Sequence, residues 1–164
     1  MLDVADWTQW GLWGLFVSAF LAGTVLAFGS EAVLVALLIV GVSPVPTVAV
    51  ATSGNVLGAL SVVALGRLVA RGKPLERPWL RRWAERARPE DPERLERARQ
   101  RLERWGPRSL LLSWVPVIGD ALVFAAGILR LGLGWVLLYL VLGKFLRYAG
   151  LAWAVLAFGW GDSL

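Results

Sequence analysis

Apolar residues dominate three stretches of the chain, Trp7 to Val40, Thr47 to Leu68 and Leu110 to Phe158, and one polar stretch, Arg67 to Pro107, stands between the second and the third. No charge falls between Trp7 and Ser30, and none between Ala32 and Gly66. Each gap exceeds the ~20 apolar residues that span a hydrocarbon core, so the pattern predicts an all-α integral membrane protein. The first stretch is interrupted at Ala27-Phe28-Gly29-Ser30-Glu31, and only a short apolar piece follows before Gly41 and Pro44. A piece of about ten residues rises ~15 Å, half a bilayer. This predicts a re-entrant hairpin with Glu31 near its tip, because irregular backbone and a carboxylate at membrane depth persist only inside protein or beside trapped water. A full helix, a tight loop and a short second helix remain the other reading.

Pro44 and Pro46 open the segment Thr47 to Leu68, a full crossing with Asn55 near its middle. Gly54 and Gly58 have the small-xxx-small spacing of closely packed helices. Arg108 to Leu129 is again interrupted, at Ser113-Trp114-Val115-Pro116-Val117-Ile118-Gly119-Asp120, Arg130 marks the return to the surface, and Leu133 to Phe158 is a second full crossing. The two halves correspond without a gap at a constant offset of 89 positions: Thr24 with Ser113, Glu31 with Asp120, Ala32 with Ala121, Ala36 with Ala125, Gly54 with Gly143. An internal duplication follows. A hairpin plus one crossing is an odd number of net passages, so the repeats are expected to be inverted. The predicted organisation is one membrane domain over residues 1–164, with repeat one at about 10–70, a linker at about 71–107 and repeat two at about 108–160.

In the linker, Trp79, Leu80, Trp83 and Ala87 form one apolar stripe, and Leu95, Ala98, Leu102 and Trp105 another. Asp91 is placed to cap the second helix, with Pro92 at its first position, Glu93 four residues before Arg97, and Gly106-Pro107 at its end. These helices suit either the surface of an anionic leaflet or packing against the rest of the protein.

Of 17 Lys and Arg residues, 14 fall between Arg67 and Arg108, so the basic sequence pI of about 10.7 describes one loop and points away from nucleic acid. The positive-inside rule assigns that loop to the cytoplasm, with the termini outside. The acidic start, Met1-Leu2-Asp3-Val4-Ala5-Asp6, lacks a basic n-region, so no cleaved signal peptide is expected. The chain has no cysteine and no histidine, which removes thiolate chemistry, the commonest metal ligand and the commonest general base. Serine and lysine have no recognisable catalytic spacing, so no enzyme, cofactor or metal site is expected.

Leu110-Leu111-Leu112-Ser113-Trp114-Val115-Pro116-Val117-Ile118-Gly119-Asp120, followed by Ala126-Gly127 and Gly143-Lys144-Phe145-Leu146-Arg147-Tyr148, resembles the small YqaA-type branch of the DedA membrane family, as do Ser30-Glu31-Ala32-Val33-Leu34 and Gly54-Asn55-Val56-Leu57-Gly58. The likeness covers roughly residues 10 to 150. It implies a bacterial inner-membrane protein with two opposed re-entrant hairpins, in a family linked to proton-coupled transport and to flipping undecaprenyl phosphate or other lipids. The chain departs from the wider family in having Ala27-Phe28-Gly29 where many members carry a proline, and in lacking arginines near Ser113 and Gly119. Lys144 and Arg147 are positioned in sequence to supply that charge.

Topology should bring Glu31, Asp120, Asn55, Lys144 and Arg147 to one depth. Lys144 and Arg147, three apart on one helix face, are expected to bind a substrate phosphate together with Arg130, and Glu31 and Asp120 to couple protons. Asn55, Gly54, Ser113, Pro116, Gly119 and Gly143 are expected to shape that site. The partners expected are anionic membrane lipids and protons, and homo-oligomerisation is left open. A buried neutral charge cluster that only locks the hairpins together, and a small-ion or proton antiporter, are the competing readings.

Overall fold

The computed structural model describes residues 4–24, 29–72, 77–87, 91–115 and 118–158. Every regular element among them is helical: α1 (Val4–Thr24), α2 (Ser30–Ile39), α3 (Pro44–Val69), α4 (Pro78–Ala87), α5 (Pro92–Trp105), a 3-10 helix (Gly106–Trp114), α6 (Ile118–Ile128) and α7 (Leu133–Ala157). Pro44 takes the first turn of α3, where its missing N–H would have had no partner. α3 and α7, of 26 and 25 residues, are long and apolar enough to cross a membrane, whereas α2 and α6, of 10 and 11 residues, reach about half as far. Shifted by 89 positions, the ends of α2 and α3 fall on Gly119, Ile128, Leu133 and Phe158, within one residue of the ends of α6 and α7.

α3 is the central helix and packs on α1, α2, α6 and α7. Its glycines set the distance to α1. A Cβ at Gly54 would stand 2.6 Å from the Phe16 carbonyl oxygen, and one at Gly58 would meet the Phe20 carbonyl and the backbone of Gly23. Backbone cannot move aside as a flexible side chain does, so both positions require glycine for the helices to touch. Gly23, next to the last residue of α1, lies against Asn55 and Ala59, near the middle of α3. Gly66 and Gly127 make a similar crossing between α3 and α6.

The linker helices decide between their two readings. Asp91 caps α5 by accepting the Glu93 N–H at 2.9 Å, Pro92 occupies its first turn, and Gly106, at φ 63°, ends it in a conformation that favours glycine. Ala98 and Leu102 of the expected stripe are buried with Leu110, Leu122 and Phe124, so α5 packs on α6 and the 3-10 helix instead of lying free on a leaflet. Trp105, placed by periodicity in the same stripe, is exposed, because it lies where the helix gives way to the 3-10 turn. In α4, Leu80 and Ala84 pack inward while Trp79 is exposed; the side chains of Trp83 and Ala87 lie outside the described residues.

Candidate functional site

Breaks in the helices meet the middles of the long ones. α1 ends beside Asn55 of α3, and α2 begins at Ser30, whose hydroxyl bonds Tyr148 of α7. The 3-10 helix ends at Ser113 and Trp114 beside Gly143, where a Cβ would stand 3.0 Å from the Leu111 carbonyl oxygen and 3.4 Å from Ser113 Oγ. α6 then begins with Asp120 in its first turn. Asn55 and Lys144 are also 89 positions apart, so the repeat that pairs Glu31 with Asp120 pairs an amide with an ammonium.

This convergence encloses a void of about 10 Å³ lined by Ser30, Asn55, Ser113, Trp114, Asp120, Lys144 and Arg147 among others. Asn55 is 2% exposed, Ser113 3% and Lys144 4%. Asn55 Nδ2 donates to Tyr148 Oη at 2.8 Å, and Tyr148 and Ser30 share a hydrogen bond of 2.9 Å. In the Tyr148–Ser30 bond either hydroxyl can donate, since the phenol oxygen has two lone pairs and one O–H. Asp120 is the charge that faces Lys144 across this region, although no ion pair within 4 Å joins them.

The second charged pair is different. An Arg147 guanidinium nitrogen, Nη2, bonds Glu31 Oε1 directly, and Nη1 donates to the Trp114 carbonyl at 3.1 Å. Both residues also line a groove of about 1160 Å³ whose other walls, including Val35, Ile39, Leu111, Leu146 and Leu151, are apolar. One surface thus carries a guanidinium and a carboxylate at a hydrocarbon-lined cleft.

Of the residues singled out in the sequence, Glu31, Asn55, Ser113, Asp120, Lys144 and Arg147 come together, with Gly119 folded against the Ser113 backbone and Gly143 against the 3-10 helix. Pro116 lies outside the described residues. Gly54 faces α1 and spaces two helices. Arg130 does not join the cluster: it is exposed in the turn after α6 and donates to the Ala70 carbonyl at 3.1 Å, while Arg67 bonds the Leu131 carbonyl. Most of α6, Ala121 to Ile128, separates that turn from Asp120, and a side chain cannot cover such a distance. Lys144 and Arg147 share a helix face as expected, yet only Arg147 reaches the groove; Lys144 is enclosed behind it. Ser113, where relatives of the wider family were expected to carry arginine, lines the void with both cations. Tyr148 and Ser30 were missed as site residues. The signal was available, since Tyr148 follows Lys144 by four residues and so shares its face.

Two helices of membrane-spanning length, with a cluster of polar and charged side chains between them, fit an integral membrane protein with a polar centre. The chain is 44% identical over 142 residues to inner membrane protein YqaA of Escherichia coli (strain K12), covering 86% of this chain and 88% of that one, and equally similar to inner membrane protein YqaA of Shigella flexneri. It is 36% identical over 153 residues to an uncharacterised protein of Haemophilus influenzae, covering 88% and 87% of the two chains. No family model and no solved structure matches it. The chain belongs to the family of inner membrane protein YqaA.

Proposed function

We propose that this protein is a DedA-type transporter that moves an anionic lipid phosphate, such as undecaprenyl phosphate or a phospholipid, across the inner membrane in a proton-coupled manner. The observation that carries this reading is the groove with one charged end. A lipid phosphate is an apolar chain bearing an anion, and the cleft of Glu31 and Arg147 offers both environments in one place. In this reading α1 with α2, and the 3-10 helix with α6, are two re-entrant hairpins of an inverted repeat, their tips meeting at mid-membrane. The arginine-rich linker is cytoplasmic and the termini are outside.

The mechanism is an exchange of partners. An incoming phosphate accepts two parallel N–H bonds from one edge of the Arg147 guanidinium, which suits two phosphate oxygens. Glu31, released from Arg147, takes up a proton and leaves the site neutral for passage. The enclosed Lys144 holds Asp120 in the background and supplies the second positive charge as the tips move. A static role also has an observation in its favour, since Arg147 already satisfies two hydrogen bonds within the protein.

Reconstitution into liposomes separates the two. Movement of polyprenyl phosphate, glycerophospholipid and simple cations is compared with and without a proton gradient. Gradient-dependent movement of a phosphate-bearing lipid is the expected result; no movement of any of them, from protein shown to be folded, leaves the static role. Cysteines placed at Gln100 and Ser163 should be labelled from opposite sides of the membrane.

A further inference from the structure

Two atoms at the centre lack what their chemistry demands. Asn55 Oδ1 and Ser113 Oγ are both buried and have no hydrogen-bond partner. They come from different halves of the chain, on α3 and at the end of the 3-10 helix, and both residues line the same void of about 10 Å³. A buried polar atom left without a partner is destabilising, and native proteins rarely leave two side by side. The void is at the size that admits one water and its lining is polar, which are the two conditions under which a buried site fills; apolar voids of this size stay dry.

We propose that this void holds one ordered water, bonded to Asn55 Oδ1 and Ser113 Oγ, that links Asp120 to the Tyr148–Ser30 pair. Water meets the donor and acceptor requirements together: it donates to the Asn55 carbonyl oxygen, exchanges a bond with the Ser113 hydroxyl, and has capacity left for Asp120 or Lys144. A bare cation does not, because the Lys144 ammonium lines the same space and repels a second positive charge. The hydrogen-bonded line then runs from Asp120 through the water to Asn55, and on to Tyr148 and Ser30, the residue before Glu31. The line ends one residue from Glu31, whose carboxylate is held by Arg147. The role of this link in proton coupling rests on the transporter reading; the presence of the water does not.

The test uses the full chain in lipid nanodiscs. A structure at a resolution that shows waters should reveal one within hydrogen-bonding distance of Asn55 and Ser113. Ser113→Ala should lower the thermal midpoint, because the water loses a partner; a raised midpoint means that a dry, unsatisfied hydroxyl was removed, and overturns the proposal. The chain has two tyrosines, and Tyr139 stacks on Trp135 away from the centre, so Tyr139→Phe leaves Tyr148 as a single ¹³Cζ-labelled reporter. The charged groups around it are Glu31 on α2, Asp120 on α6, and Lys144 and Arg147 on α7, while α3 presents the neutral Asn55. The Tyr148 resonance should move with pH, stop moving in Asp120→Asn, and move at most half as far in Ser113→Ala. A resonance that ignores pH, or responds equally in Ser113→Ala, overturns the link. If the water and the link are present but no lipid moves in the liposome assay, the transporter reading fails and this inference stands.

Discussion

Glu31 and Asp120 hold matching places at the start of α2 and α6, yet the cations they meet differ, one half-buried and in contact and the other buried and apart. Glu31 is bonded to Arg147 on the wall of a groove large enough for a lipid chain; Asp120, itself exposed, faces a buried Lys144 across a space for one water. The repeat explains the matching carboxylates, and the difference comes from α7. Both central cations lie on that one helix, three residues apart, while the equivalent positions of α3 carry Asn55 and Gly58. One long helix is thus neutral and closely packed, and the other is charged. The lesson is a division of labour: a cation open to an amphiphile can change partners, whereas a cation buried beside a single water keeps its place.

The largest effect should come from removing the open cation. Arg147→Ala leaves Glu31 facing an apolar groove and takes away the phosphate's partner. Truncating one member of a desolvated charge pair costs about 2–5 kcal/mol, so binding of a labelled polyprenyl phosphate should fall by about 30-fold or more. Binding within twofold of the native protein would show that the open pair is not the substrate's contact.

Next comes Lys144→Arg, a substitution that keeps charge but needs room for a larger head group. The structure gives it none, since Lys144 is buried beside a void of about 10 Å³. Overpacking of this kind costs ~1–3 kcal/mol, and the thermal midpoint in detergent should fall accordingly. An unchanged midpoint would mean that the centre opens readily and that the two pairs are less different than drawn here. The reciprocal swap, Arg147→Lys, should be nearly silent in stability because the groove has space. It should still weaken phosphate-lipid binding, by roughly tenfold, through loss of the bidentate geometry.

How much of this was legible beforehand follows from what kind of information each feature uses. Helix lengths, the α5 cap at Asp91 and the α3 crossing at Gly54 and Gly58 are local, set by period, capping chemistry and residue size, and they could be read directly. The gathering of Glu31, Asp120, Lys144 and Arg147 was also foreseeable, because a charge inside an apolar segment has few places to go. Which cation meets which carboxylate was not. Arg147 and Lys144 differ by less than one helical turn, and the choice depends on side-chain reach across a tertiary gap. Arg130 marks the return to the surface, as its charge after an apolar run indicates, but its bond to Ala70 keeps it in that turn and away from Lys144 and Arg147. Tyr148 was overlooked because a neutral aromatic residue in a membrane helix reads as packing until its hydroxyl is seen between Asn55 and Ser30.

The smallest effect tests whether position, and not charge as such, separates these pairs from the rest of the molecule. Arg97 on α5 contacts Glu93 at 3.2 Å and Asp91 at 3.4 Å, so it has more ion-pair partners than Arg147. Its side chain is 57% exposed, however, and water and salt screen what it gains. Arg97→Ala should therefore shift stability by no more than ~0.5–1 kcal/mol, and raising the salt concentration should shrink the difference further. Lipid-phosphate binding should stay within twofold of the native protein, since Arg97 does not line the groove of Glu31 and Arg147. A loss of binding in Arg97→Ala comparable to that in Arg147→Ala would place substrate recognition on the arginine-rich linker, and the contrast between an open and a closed central pair would then describe packing alone.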